Sequence, residues 1–97
     1  MKKVEEIRKI INKHEEILKK KYKVKKMALF GSYVRKQTRK DSDLDIVVEF
    51  CESVSLLKLV ALENFLTDIL GTKVDVVPKE DIRPELKKNI LSEAVDI

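Results

Sequence analysis

Apolar positions near the start of the chain recur in alternating steps of three and four. Val4, Ile7, Ile11 and Leu18 share one line with His14, and Ile10 and Ile17 widen it. That stripe predicts an amphipathic helix from about Lys2 to Lys21, with His14 as a packed or edge residue. Met27–Phe30 is a short apolar run stopped by Gly31-Ser32, the pattern of a buried strand feeding a tight turn. Residues 36–42 carry no apolar side chain and read as a loop. Asp43–Phe50 alternates around a β-branched centre and predicts a second strand. Ser53 or Ser55 can cap a helix over Leu56–Leu70, with Gly71 as its left-handed C′ residue. Lys73–Val77 predicts a third strand ended by Pro78. A last helix is expected from about Asp81 to Ala94, with Pro84 tolerated only near its first turn.

The order helix, strand, strand, helix, strand, helix implies a small α/β (α+β) domain. A mixed sheet of at least three strands would be packed with helices. The 97 residues predict one domain over 1–97, because a second core needs roughly 50 residues of its own. An apolar share of 43% beside 39% charged residues excludes a disordered or collagen-like chain.

Charge is unevenly spread. Residues 1–26 hold eleven Lys/Arg against four Glu, whereas 27–97 hold ten Lys/Arg against thirteen Asp/Glu. A basic chain suggests an anionic partner such as a nucleotide. The lysines lack an aromatic stacking platform, so direct nucleic-acid binding is not expected. Lysine and glutamate enrichment also accompanies heat-stable proteins. The single cysteine, Cys51, closes no intrachain disulfide and builds no zinc cluster, which fits a reducing cytoplasm. No window approaches the roughly 18 apolar residues of a membrane span, and Met1-Lys2-Lys3 leads into charged helix rather than an apolar leader.

Two features carry chemistry. Gly31 sits where only glycine allows positive φ or close approach by a ligand. With Ser32 and a following helical turn it would form an anion site whose usual guest is phosphate. Alone, a Gly-Ser pair is commonly a plain turn. The stronger signal follows ten residues later. Asp43 and Asp45 are i and i+2 on a strand, so both carboxylates leave one face while Leu44 points to the other. Aspartate is a poor strand former, and two like charges repel. A divalent hard cation such as Mg²⁺, held by carboxylates and substrate phosphates, compensates both. Asp75 repeats the anomaly among Val74, Val76 and Val77. On a neighbouring strand it would join the other two carboxylates, the layout of two-metal phosphoryl transfer. The plainer alternatives are a solvated strand start paired with Arg35, Arg39 or Lys40, and an edge strand that exposes Asp75.

Gly31-Ser32, ten residues, then Asp43-Leu44-Asp45 resembles the nucleotidyltransferase signature of the DNA polymerase β superfamily. Leu29–Arg35 with Ser42–Val48 resembles its smallest members, the minimal nucleotidyltransferases, over nearly the whole chain. The resemblance implies the minimal nucleotidyltransferase fold and a toxin–antitoxin antitoxin that transfers AMP from ATP to a tyrosine of a HEPN-domain ribonuclease toxin. By the same resemblance, Gly31 and Ser32 hold the triphosphate. Asp43 and Asp45 are Mg²⁺ ligands, and Asp75 is the third carboxylate, with two ions expected. Arg35 matches a family arginine that steadies phosphate or braces the acidic cluster. Lys36 departs from the pattern, since a glycine usually follows that arginine.

Size bears on the acceptor. Without a second domain, the acceptor surface must come from another chain, in a homo- or hetero-oligomer. The helix over 56–70 is apolar on more than one stripe, by burial on both sides or by docking a partner. Two alternatives stay open: a small-molecule nucleotidyltransferase completed by a partner subunit, and a non-catalytic antitoxin that masks its partner by contact.

Overall fold

A computed structural model describes residues 4–30 and 44–97. Its elements run α1 (Val4–Lys13), α2 (Glu15–Lys20), β1 (Val24–Phe30), β2 (Leu44–Phe50), α3 (Leu56–Leu70), β3 (Val74–Pro78), a single 3₁₀ turn (Lys79–Asp81), α4 (Pro84–Glu93) and β4 (Val95–Asp96). The strands form one mixed sheet in the order β3-β2-β1-β4. β1 pairs antiparallel with β2 and β4, and β2 pairs parallel with β3 through the α3 crossover.

Alternation divides the sheet into two faces. Met27 and Leu29 of β1, Leu44, Ile46 and Val48 of β2, and Val74 and Val76 of β3 are all buried on one face. They form one cluster with Ile7 and Ile11 of α1, Leu18 of α2, and Leu62, Leu66 and Leu70 of α3. Fully burying each such side chain stabilises by roughly 1.5–3 kcal/mol, so this three-helix face is what holds the sheet together. On the opposite face, Leu91 of α4 lines a cavity of about 80 Å³ with Ala28 and Val47.

The first helix, expected to be continuous, is two. The His14 N–H turns to the Ile11 carbonyl at 3.0 Å, while its ring Nδ1 lies 2.9 Å from the Ile10 carbonyl. The ring thus takes the acceptor that the backbone N–H would use in an unbroken helix. It also meets Phe65 edge-on, with centroids 5.6 Å apart, so His14 is a packed structural residue.

The α3 ends match expectation. Ser55 Oγ accepts the Lys58 N–H at 3.2 Å, and Gly71 closes the helix at φ +69°. Burial accounts for Leu62, Leu66 and Leu70, and in part for Leu59, Phe65 and Ile69; Leu56 and Leu57 are 75% and 84% exposed. The last helix starts at Pro84 rather than Asp81, because the residue before a proline is pushed out of the helical region. Arg83 accordingly sits at φ −57°, ψ 134°. The two-residue β4 was not anticipated. It adds an edge to β1, and the Arg8 guanidinium donates to the Asp96 carbonyl at 2.9 Å. Among the described residues, no helix is long and apolar enough to cross a membrane.

Candidate active site

Asp45 of β2 and Asp75 of β3 are register partners in the parallel pair. Their neighbours Leu44, Ile46, Val74 and Val76 are buried in the core. Both aspartates therefore project from the opposite face, half-buried and one strand spacing apart, roughly 4.8 Å between backbones. Phe30, the last residue of β1, is the partner of Asp45 on its other side. The site thus lies where β1 ends and where β2 and β3 begin.

Like charges directly opposite each other destabilise a sheet by some tenths of a kcal/mol. A domain that keeps them side by side on an inner strand and its outer neighbour breaks a local rule, and such breaks concentrate at functional sites. Two hard oxygen donors side by side fit a divalent cation of the Mg²⁺ kind. Gly31, Ser32, Arg35, Lys36 and Asp43, singled out in the sequence, lie outside the described residues. Of the predicted site, the structure brings together Asp45 and Asp75.

Further along the same face the charges change. Val47 faces Val77, and one rung on Lys26 pairs in register with Glu49. Lys79 Nζ donates to Glu49 Oε1 at 3.3 Å, and this bond holds the Glu49 carboxyl below its ordinary 4.5, with Lys25 and Lys26 contributing. An apolar rung therefore separates the two aspartates from an ion-paired one. A cavity of about 410 Å³ lined by Glu49, Phe50, Glu52, Ser53, Lys79 and Lys87 opens at the far end of the strands. About four residues of strand, on the order of 13 Å, lie between it and the aspartates. It belongs to a different part of the sheet.

Two polar residues that the sequence reading passed over grip the outer edge of β3. Thr67 Oγ1 accepts the Val74 N–H at 3.1 Å, and Glu63 Oε2 accepts the Val76 N–H at 2.9 Å. The available signal was polar side chains one helical turn apart inside an otherwise apolar helix.

A family description for a nucleotidyltransferase domain matches residues 11–97. The chain belongs to that family. Relatives of this nucleotidyltransferase domain are close. A Methanocaldococcus jannaschii chain with a provisional protein adenylyltransferase name is 49% identical over 98 residues, spanning 100% of both chains. The protein adenylyltransferase MntA of Thermococcus cleftensis is 41% identical over 92 residues, or 95% of this chain and 93% of that one.

Solved structures agree on the fold. One provisionally described as a minimal nucleotidyltransferase superposes with TM-score 0.75 at 31% identity, covering 94% of this chain and 95% of that one. The Shewanella oneidensis complex of a tri-AMPylated HEPN toxin with its MNT antitoxin superposes with TM-score 0.65 at 22% identity, over 93% of this chain and 70% of that one. The four-stranded mixed sheet with helices is thus the minimal nucleotidyltransferase fold, as the sequence predicted.

Proposed function

We propose that residues 1–97 are a single, cytoplasmic, Mg²⁺-dependent protein adenylyltransferase domain. It acts as an antitoxin by moving AMP from ATP to a tyrosine hydroxyl of a cognate HEPN ribonuclease toxin. The observation that carries this reading is the in-register pair of Asp45 and Asp75 on neighbouring parallel strands, at the end where β1 stops and β2 starts. The names of the relatives support the activity, and the AMPylated toxin in the S. oneidensis complex supports the class of acceptor. The lone Cys51, exposed and free, suits a reducing compartment.

In this reading Gly31 and Ser32 receive the triphosphate, Arg35 steadies it or braces the acidic cluster, and Asp43, Asp45 and Asp75 would hold two divalent ions. Such ions would shield the phosphates and favour ionisation of the attacking hydroxyl. The hydroxyl oxygen bonds to the α-phosphorus as the bond to the β-phosphate oxygen breaks. Pyrophosphate departs with that electron pair, and the hydroxyl proton passes to the Asp75 carboxylate and on to solvent. Catalysis is then mostly positioning and charge neutralisation. The acceptor surface is the partner chain's.

ATP labelled at the α-phosphorus, Mg²⁺ and the co-expressed partner test this. Label is expected on a partner tyrosine with the natural chain and not with Asp43→Asn or Asp45→Asn. Equal labelling by those variants would remove the assignment. Neutralisation without labelling would favour masking by contact, and label on a small acceptor would favour the small-molecule enzyme.

A further inference from the structure

Among the described residues β3 is the outer strand beside β2, so the backbone flanking Asp75 can bond outward as well as to β2. In a parallel pair the backbone groups alternate sides, and Leu44 N donates to the Lys73 carbonyl at 2.9 Å. Residues 73 and 75 therefore turn their polar groups toward β2, and residues 74 and 76 turn theirs outward. Both outward N–H groups are captured by α3: Val74 by Thr67 Oγ1 at 3.1 Å, Val76 by Glu63 Oε2 at 2.9 Å. One helical turn, about 5.4 Å, nearly matches the strand's two-residue step of about 6.6 Å, so two residues four apart on the helix can serve both donors. The helix itself is fixed to the core by Leu62, Leu66 and Leu70, each at most 1% exposed. Asp75 lies between the two anchored amides.

We propose that Glu63 and Thr67 are positioning residues. By clamping the backbone on both sides of Asp75 to the core-anchored α3, they set the carboxylate at the distance from Asp45 that a bridging divalent ion requires. The idea rests on the proposed function, because it assumes Asp45 and Asp75 share such an ion. Residues that orient ligands from behind change metal affinity or activity by about 10–100-fold when removed. Glu63→Gln keeps an acceptor oxygen for the Val76 N–H; Glu63→Ala does not.

The test is Mn²⁺ binding to the full chain with a non-hydrolysable ATP analogue, read from the free-ion electron paramagnetic resonance signal. Exchange protection of the Val76 amide is followed alongside. The expected result is Mn²⁺ affinity about 10–100-fold weaker for Glu63→Ala with Val76 protection lost, and both near the natural level for Glu63→Gln. Thr67→Val, which removes the other anchor at constant volume, should weaken Mn²⁺ in the same direction, and it carries the test if Glu63→Ala does not fold. Natural affinity in a folded Glu63→Ala that has lost Val76 protection would overturn the proposal, as would equal loss in Glu63→Gln. Asp45→Asn separates the two ideas. If it abolishes Mn²⁺ binding while Glu63→Ala does not, the enzymatic reading stands and the positioning role falls. If the natural chain binds no Mn²⁺, both fall.

Discussion

Asp45 and Asp75 occupy the same rung of a parallel strand pair, and neither could slip one residue without pointing into the core. The burial of Leu44, Ile46, Val74 and Val76 therefore fixes the register that brings the two carboxylates together. Packing on one face of the sheet sets the chemistry on the other.

Ligand linkage follows directly. With Mg²⁺ and a non-hydrolysable ATP analogue at one hundred times the dissociation constant, the folded state should gain about 2.7 kcal/mol. A domain of this size then melts on the order of 10 °C higher. Asp45→Asn and Asp75→Asn should lose most of that shift in thermal unfolding, whatever their own stability without ligand.

His14→Ala should cost about 1–2 kcal/mol. It removes the ring bond to the Ile10 carbonyl and the edge contact with Phe65. Denaturant unfolding checks the magnitude; a change within experimental error would mean that the α1–α2 break forms without the ring.

Two left-handed positions predict opposite outcomes. Lys23 sits at φ +59°, a conformation that costs an L-residue about 1–2 kcal/mol, partly offset on substitution by glycine's greater unfolded freedom. Lys23→Gly should therefore stabilise by about 0.5 kcal/mol. Gly71 sits at φ +69° with open space around its missing Cβ. Gly71→Ala should destabilise by about 1 kcal/mol through backbone strain alone.

The Glu49–Lys79 pair predicts a pH dependence. Its folded carboxyl lies below the ordinary 4.5, chiefly through the Lys79 hydrogen bond. The pair's contribution is thus present above pH 4.5 and is lost as pH falls through the folded value. Both groups are substantially exposed, so the effect is small and screened by salt. Carboxyl titration by nuclear magnetic resonance should show the Glu49 midpoint rising toward 4.5 in Lys79→Met.

Much of this was legible in the chain because the signals were local. Gly71 and a serine at 53 or 55 marked the ends of α3, and strand alternation allowed Asp45 and Asp75 to share a face if their strands were neighbours, which the parallel β2–β3 pairing makes them. What escaped were long-range or side-chain effects. The His14 ring replaces a backbone donor, which no periodicity records. β1 starts at Val24 rather than Met27, because its irregular pairing with β2 lets Lys25 and Lys26 interrupt the apolar run. β4 is too short to leave a pattern and exists through its bonds to β1. The roles of Glu63 and Thr67 come from the edge of β3 lying against them, a long-range pairing.

The central claim is that Asp45 and Asp75 share a divalent ion beside a bound triphosphate. A crystal structure with Mg²⁺ and a non-hydrolysable ATP analogue tests it most directly. The account predicts an ion about 2.0–2.1 Å from a carboxylate oxygen of each aspartate, in contact with a phosphate oxygen. A nucleotide bound elsewhere on the chain, or one bound with no ion at this pair, would contradict it.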